Sequence, residues 1–469
     1  MEKIVENKLR EIFKERLLTE VDDRVSYGYD ASFGQHLPDL VVQVMSTDEV
    51  QKTVLLADEF EVPIYPRGAS TSLSGGPLPV YGGIVMDFSQ WTQKLEIYPE
   101  DLLIKASPGV RTSDIHQLAE QHNLMYAPDP SSSSICTIGG NLAENAGGPR
   151  GVKYGVTKDY VIGLEVVTAA GKVIKTGGNT VKNVTGYDLT KLLIGSEGTL
   201  GIITEATLRL IPKPLDTMTA MIIFEDLYTA GQSISKILTS GVRPSKMEIL
   251  DHNSINKVED YAGLNLPRNA AAIILIEVDG DPEVLPKELA VVKNALEEIG
   301  VTNIQVAETK EDEENLWKVR KLVSPAIVTS GYTKISEDAT VPLSKIPDMF
   351  KKIDEIKHKY KLNIVVFGHA GDGNLHPTIN TNMRDIEEVK NVEHAVEEIF
   401  NYAIELGGTL SGEHGIGTMK KAFMVNEVGE DGLAFQKAIK QALDPKNILN
   451  PGKIFPEKGE KRLVLRDDK

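Results

Sequence analysis

The sequence predicts an α+β protein of two domains followed by a C-terminal segment, on three observations. The chain has 469 residues, too many for one ordinary hydrophobic core. From Leu40 to about Pro212, short β-branched runs alternate with glycine-rich turns; from Asp216 to about Lys420, strands alternate with longer amphipathic helices. Pro212-Lys213-Pro214 punctuates the chain where the texture changes. The domains are therefore placed at residues 1–213 and 214–420, with 421–469 as the final segment.

The elements follow in order. Met1 to Arg10 reads as a polar amphipathic helix and lacks the apolar core of a signal peptide. Val62-Pro63-Ile64-Tyr65, Gly83 to Asp87 and Leu102 to Ala106 read as strands, Val161 to Ile174 as a hairpin turning at Ala169-Ala170-Gly171-Lys172, and Ile202 to Leu210 as an alternating strand. In the second region Ala220 to Phe224 and Ala272 to Val278 are strands. Apolar Ile386, Val389, Val396, Ile399, Phe400 and Ala403 predict a helix over 386–406. Such β-α-β texture with hairpins predicts an antiparallel α+β layer of ferredoxin-like kind. A last helix spans about Leu433 to Ala442, and the charged tail after Phe455 is expected to be loosely held.

Composition narrows the function. Hydrophobic residues make up 41 % and charged residues 25 %, as in soluble globular proteins. The net charge of −17, with no basic block against it, disfavours nucleic acid and anionic membranes as partners. No apolar run approaches the roughly 20 residues of a membrane span. The single cysteine, Cys136, excludes a disulfide framework and a cysteine-ligated iron–sulfur cluster within the chain; it is expected to pack. A cytoplasmic location is the simplest expectation. A redox function would need an organic cofactor and an external electron acceptor.

The richest chemistry lies in Phe367-Gly368-His369-Ala370-Gly371-Asp372-Gly373-Asn374-Leu375-His376-Pro377. Ile364-Val365-Val366-Phe367 precedes an Asp372-Gly373 reversal, so a hairpin would return His376 towards His369. Glu413-His414 follows in Ser411-Gly412-Glu413-His414-Gly415-Ile416-Gly417. Two imidazoles and a carboxylate suit iron, zinc or manganese, and the candidate ligands are His369, His376 and Glu413. Three glycine-bearing stretches in the first domain read as an anion cradle: Pro66-Arg67-Gly68-Ala69-Ser70-Thr71-Ser72, Thr137 to Gly151, and Gly195 to Gly201. Glycine lets successive backbone N–H groups converge on a phosphate. None of the three fits the Rossmann or P-loop pattern.

In combination these segments, with Pro128-Asp129-Pro130-Ser131-Ser132, Lys182 to Leu189 and Asn450-Pro451-Gly452-Lys453, resemble the vanillyl-alcohol oxidase and p-cresol methylhydroxylase flavoprotein family. Within it they are most similar to the branch of D-lactate dehydrogenases, D-2-hydroxyglutarate dehydrogenases and glycolate oxidase large subunits, and nearest to lactate dehydrogenase subunits that work with an electron-transferring flavoprotein. The resemblance covers about Pro38 to Lys453. It implies a two-subdomain FAD-binding domain of the p-cresol methylhydroxylase type with an inserted antiparallel-sheet α/β cap, the final segment returning to the FAD domain.

The resemblance further implies that FAD is held by Pro66, Arg67, Gly68, Ala69, Ser70, Thr71 and Ser72, by Pro130, Ser131 and Ser132, and by Thr137, Gly139, Gly140, Asn141 and Asn145. Gly147, Gly148, Gly151, Tyr154, Glu197, Gly198, Gly201, Ile202 and Asn450 complete the set. Relatives with covalent flavin attach it through a His or Cys near the first loop; this chain has neither there, so non-covalent FAD is expected. The implied reaction oxidises a D-2-hydroxy acid, D-lactate foremost, to the 2-oxo acid by hydride transfer to flavin N5. His414 would serve as general base, with Arg320 and Lys334 binding the substrate carboxylate. Thr378 stands where relatives acting on dicarboxylates carry Asn, which favours a small monocarboxylate. An electron-transferring flavoprotein or an iron–sulfur subunit would take the electrons. Glycolate or 2-hydroxyglutarate oxidation is the alternative within the class; a metal-dependent hydrolase or a non-catalytic flavin carrier is the alternative outside it.

Overall fold

The computed structural model describes residues 2–328, 333–460 and 462–465. The chain divides into two compact units. The first comprises 1–146, 156–213 and 413–461; the second comprises 147–155, 214–412 and 462–469. Two short segments thus fall opposite to expectation. Residues 147–155 join the second unit, and 413–420 join the first.

The first unit holds two sheets. One is four-stranded, in the order Leu17–Leu18, Leu40–Gln43, Ile84–Asp87, Ile64–Arg67. The helix Lys3–Phe13 covers it with Val5, Leu9 and Phe13, spaced four apart and essentially fully buried. Each such side chain contributes about 1.5–3 kcal/mol of burial. The C-terminal segment returns to this sheet: Ile64 donates its N–H to Ile448 O at 2.7 Å, and Asn450 donates to Ile64 O at 2.8 Å. The second sheet is five-stranded and antiparallel, in the order Leu95–Tyr98, Leu103–Ala106, Ile202–Arg209, Val161–Val167, Val173–Gly177. The hairpin expected at 161–174 is its edge, turning at Thr168–Lys172 where Lys172 O accepts from Thr168.

The second unit is built on an eight-stranded sheet whose paired strands run antiparallel. Its central strands, Ala272–Gly280, Lys246–Asp251 and Asn363–His369, are buried nearly throughout. Amphipathic helices cover it, including Lys310–Val328 and Ile386–Glu405. The final helix begins earlier than its periodicity suggests, running Met424–Leu443 across a kink at Gly429, whose φ of 71° breaks the helical pattern. Of the tail, 461 and 466–469 lie outside the described residues. Among the described residues no helix is long and apolar enough to cross a membrane.

Candidate functional site

The hairpin forms as its sequence dictates. Strands Asn363–His369 and Asn374–Thr381 pair with Phe367 opposite His376 and His369 opposite Asn374. Asp372 accepts from Asn374 N at 3.2 Å inside the turn. Gly373 has φ 82°, and a Cβ there would lie 2.2 Å from Val341 O, so only glycine fits. The ring centroids of His369 and His376 are 5.0 Å apart and perpendicular; both residues are buried. His369 and His376 thus lie together in the second unit, while Glu413 opens the last segment of the first. Asn374 Oδ1, buried beside the hairpin without a hydrogen-bond partner, is a further oxygen in the same environment. Two buried imidazoles with this amide oxygen beside them are donor types that suit a divalent ion.

Glu248 completes this site, and sequence reasoning missed it. It lies fully buried on the strand Lys246–Asp251, in register with His369. His369 donates from Nδ1 to Glu248 Oε1 at 2.6 Å, and Arg320 donates from Nε to Oε2 at 2.5 Å. The carboxylate therefore fixes the His369 tautomer, with the proton on Nδ1. Burial alone would raise the Glu248 pKa; His369 and Arg320 reverse the shift and hold it below the usual carboxylate value. The available signal was an acidic residue set among the apolar residues Met247, Ile249 and Leu250 in mid-strand.

Arg320 is buried and packs its guanidinium over the Phe367 ring, 4.9 Å from the centroid. Lys334 donates to Ser324 Oγ at 2.8 Å; burial, with Arg320 nearby, lowers its pKa. Gly331 and Tyr332, which precede it, lie outside the described residues. Thr378 is fully buried two residues beyond His376 and shares a 3.0 Å hydrogen bond with Ser336. Asp338, also missed, accepts from Gly412 N at 2.7 Å and anchors the approach to Glu413.

In the first unit the glycine loops converge on one another. A Cβ at Gly68 would lie 2.2 Å from Thr137 Oγ1, and one at Gly198 would lie 2.5 Å from Pro66 Cγ. Thr137 caps the helix Ile138–Glu144, accepting from Gly140 N at 3.3 Å. Ser70, Asn145, Glu197 and Asn450 all hold positive φ without being glycine, a concentration of backbone strain typical of ligand loops. Ser70 Oγ is buried without a partner, and the space around Gly140 is open save for Thr137. These loops fit a dinucleotide.

Several expected cofactor residues have other work. Arg67 spends its guanidinium on the carbonyls of Ser26, Tyr27 and Tyr29, so it braces the loop. Asn141 donates to Thr112 Oγ1 at 2.6 Å, and Asn145 accepts from Lys158 N. Asn450 clamps two loops, donating to Gly76 O at 2.9 Å and Glu197 O at 2.5 Å. The Glu197 carboxylate accepts from Ile416 N and Gly417 N, just beyond His414. Pro130 O accepts from Ser133 N and Ser132 O from Cys136 N, closing the serine turn, while Ile202 is buried at the start of its strand. Gly147, Gly148, Gly151 and Tyr154 belong to the second unit, where the Tyr154 hydroxyl donates to Asp279 at 2.7 Å. Cys136 packs, buried, against Thr112.

A cradle for a dinucleotide and a polar site set in the second unit's sheet define a cofactor-dependent enzyme class, and comparison with known proteins names it. Residues 38–177 match the FAD binding domain family, and residues 213–454 match the C-terminal domain of FAD linked oxidases; the chain belongs to the FAD-linked oxidases. The glycolate oxidase subunit GlcD of Bacillus subtilis is 46 % identical over 94 % of both chains. The D-lactate dehydrogenase of Anaerostipes hadrus is 34 % identical over 95 % of this chain and 96 % of its own. Among solved structures, p-cresol methylhydroxylase shares the fold with a TM-score of 0.79 at 18 % identity, covering 96 % of each chain.

Proposed function

We propose that the protein oxidises a short 2-hydroxy acid to the 2-oxo acid, D-lactate being the assigned substrate. The reading is carried by the arrangement around Glu248, which holds a candidate metal ligand, His369, and a carboxylate-binding cation, Arg320, on its two oxygens. When bound, FAD supplies the hydride acceptor and the divalent ion a Lewis acid that lowers the hydroxyl's pKa. His369, His376 and Glu413 would hold that ion. The Arg320 guanidinium and the Lys334 ammonium bind the substrate carboxylate and orient C2. His414 accepts the proton of the 2-hydroxyl, as an imidazole can near neutral pH. Non-covalent FAD is held by the loops at Gly68, Thr137 and Gly198. The electrons then leave to a partner, an electron-transferring flavoprotein or an iron–sulfur subunit, because one buried cysteine offers no internal relay.

Glycolate is the second reading, favoured by the 46 % identity to a glycolate oxidase subunit. The two substrates differ by one methyl on C2, so the same groups would bind either. Anaerobic mixing of purified protein with each enantiomer of lactate, with glycolate and with 2-hydroxyglutarate, with flavin absorbance and metal content followed in one sample, tests the proposal. Rapid bleaching by D-lactate and slower bleaching by glycolate is expected. Bleaching by glycolate alone would transfer the assignment, and bleaching by none would end it.

A further inference from the structure

Two acidic side chains in the first unit have no part in the reaction just described. Glu144 ends the helix Ile138–Glu144, and Glu197 sits at φ 52° in the loop 195–201. Both press on one residue. A Cβ built on Gly415 would lie 2.1 Å from Glu144 Oε2 and 3.3 Å from Glu197 Oε1, so these oxygens are no more than 5.4 Å apart. Gly415, with φ 81°, directly follows His414.

The two carboxyl groups differ in what they meet. Glu197, 4 % exposed, uses both oxygens on backbone donors: Ile416 N at 2.7 Å and Gly417 N at 2.8 Å. Such donors favour the anion. Glu144 meets serine hydroxyls instead, that of Ser72 and that of Ser74, whose Oγ lies 3.4 Å from Oε2. A hydroxyl can donate or accept, so it serves a neutral carboxyl equally well. Its Oε1 stands 2.4 Å from where a Cβ on Gly76 would be, so backbone closes on it from that side too.

We propose that Glu144 and Glu197 share a single proton, carried by Glu144, and that this neutral–anionic pair is the positioning device that fixes the backbone bearing His414. The inference rests on the reading of His414 as general base. Like charges this close in a sheltered site cannot both ionise cheaply. Burial first, then the Glu197 charge, pushes the Glu144 carboxyl well above its ordinary range. For Glu197 burial also wins and the pKa is raised, though the two N–H groups, Lys453 and Lys420 oppose the rise. Asp30 from the N-terminal segment adds negative charge facing Glu144. Lys453 and Lys420 face Glu197 from the C-terminal segment, and burial lowers the Lys453 pKa to about 7. Glutamine is then a neutral stand-in for Glu144 and a poor one for Glu197.

The test uses FAD-loaded protein and two variants. In infrared pH-difference spectra, wild type is expected to show a protonated-carboxyl C=O band persisting above neutral pH, and E144Q is expected to lack it. E197Q is expected to slow anaerobic flavin reduction at least tenfold at unchanged FAD and metal content. E144Q is expected to move the alkaline limb of the pH–rate profile, which a merely structural residue would not do. Persistence of the band in E144Q, an unmoved alkaline limb, or full reduction rates in E197Q would overturn the proposal. The infrared band decides the proton assignment even if E197Q fails to fold. It also does so if no hydroxy acid reduces wild type, in which case the function reading fails separately.

Discussion

Replacing Glu248 with Gln tests the central geometry. The carboxylate is fully buried and receives two charge-assisted hydrogen bonds, from His369 Nδ1 at 2.6 Å and Arg320 Nε at 2.5 Å. Glutamine preserves the volume and can still accept one of them. Its NH₂ group then faces another donor, and the buried guanidinium loses its counter-charge. Breaking one side of a buried ion pair costs about 3–5 kcal/mol, and loss of a histidine-orienting carboxylate lowers metal affinity about 10–100-fold. Arg320 would also lose the anchor that presents it to a carboxylate.

The assay separates these effects. The two tryptophans lie one in each unit, Trp91 in the first and Trp317 in the second. In a Trp91→Phe background, Trp317 fluorescence reports unfolding of the second unit alone. E248Q is expected to lower that unit's stability by about 3–5 kcal/mol, to weaken zinc or manganese binding in chelator competition about 10–100-fold, and to leave FAD content intact. Because its partners hold the Glu248 pKa below the unfolded value, its stabilisation is present above the unfolded carboxylate pKa of about 4.3 and is lost as pH falls through the lower folded value. Wild type should therefore lose stability on acidification more steeply than E248Q. Wild-type metal affinity and stability in E248Q would refute the reasoning.

Other perturbations probe the remaining parts. His376→Ala should abolish anaerobic flavin reduction with FAD retained; unchanged reduction kinetics would discard the ligand assignment. His414→Ala should retain metal and FAD while slowing reduction by about 10²–10⁴, and a drop in metal content would make His414 a ligand. Gly68→Ala would place a methyl 2.2 Å from Thr137 Oγ1, so the loops must part and FAD should be lost without global unfolding, read as colourless protein with a native circular-dichroism spectrum. Thr378→Asn should raise kcat/KM for 2-hydroxyglutarate relative to D-lactate, and an unaltered ratio would remove Thr378 from specificity.

What the sequence made legible was local. Asp372-Gly373 between β-branched runs specifies a hairpin within twenty residues, and the alternation of period two sets which residues face one another, so His369 and His376 could be paired on paper. Glu248 could not, because it meets His369 across 121 positions, and only strand order in the sheet joins them. Arg67 shows the same limit from the other side. A cation beside a glycine loop suggests a phosphate ligand, yet three carbonyls from residues 26–29 claim its guanidinium, and carbonyl acceptors leave no trace in side-chain identity. The same holds for Glu197 and Asn450, chosen as cofactor residues and found bonding to backbone of other loops. Sequence patterns thus named candidate segments, while the partners of each polar side chain depended on long-range backbone contacts. For this reason the E248Q comparison bears on more than one residue. It asks whether a group invisible to local pattern governs the chemistry of those that are visible.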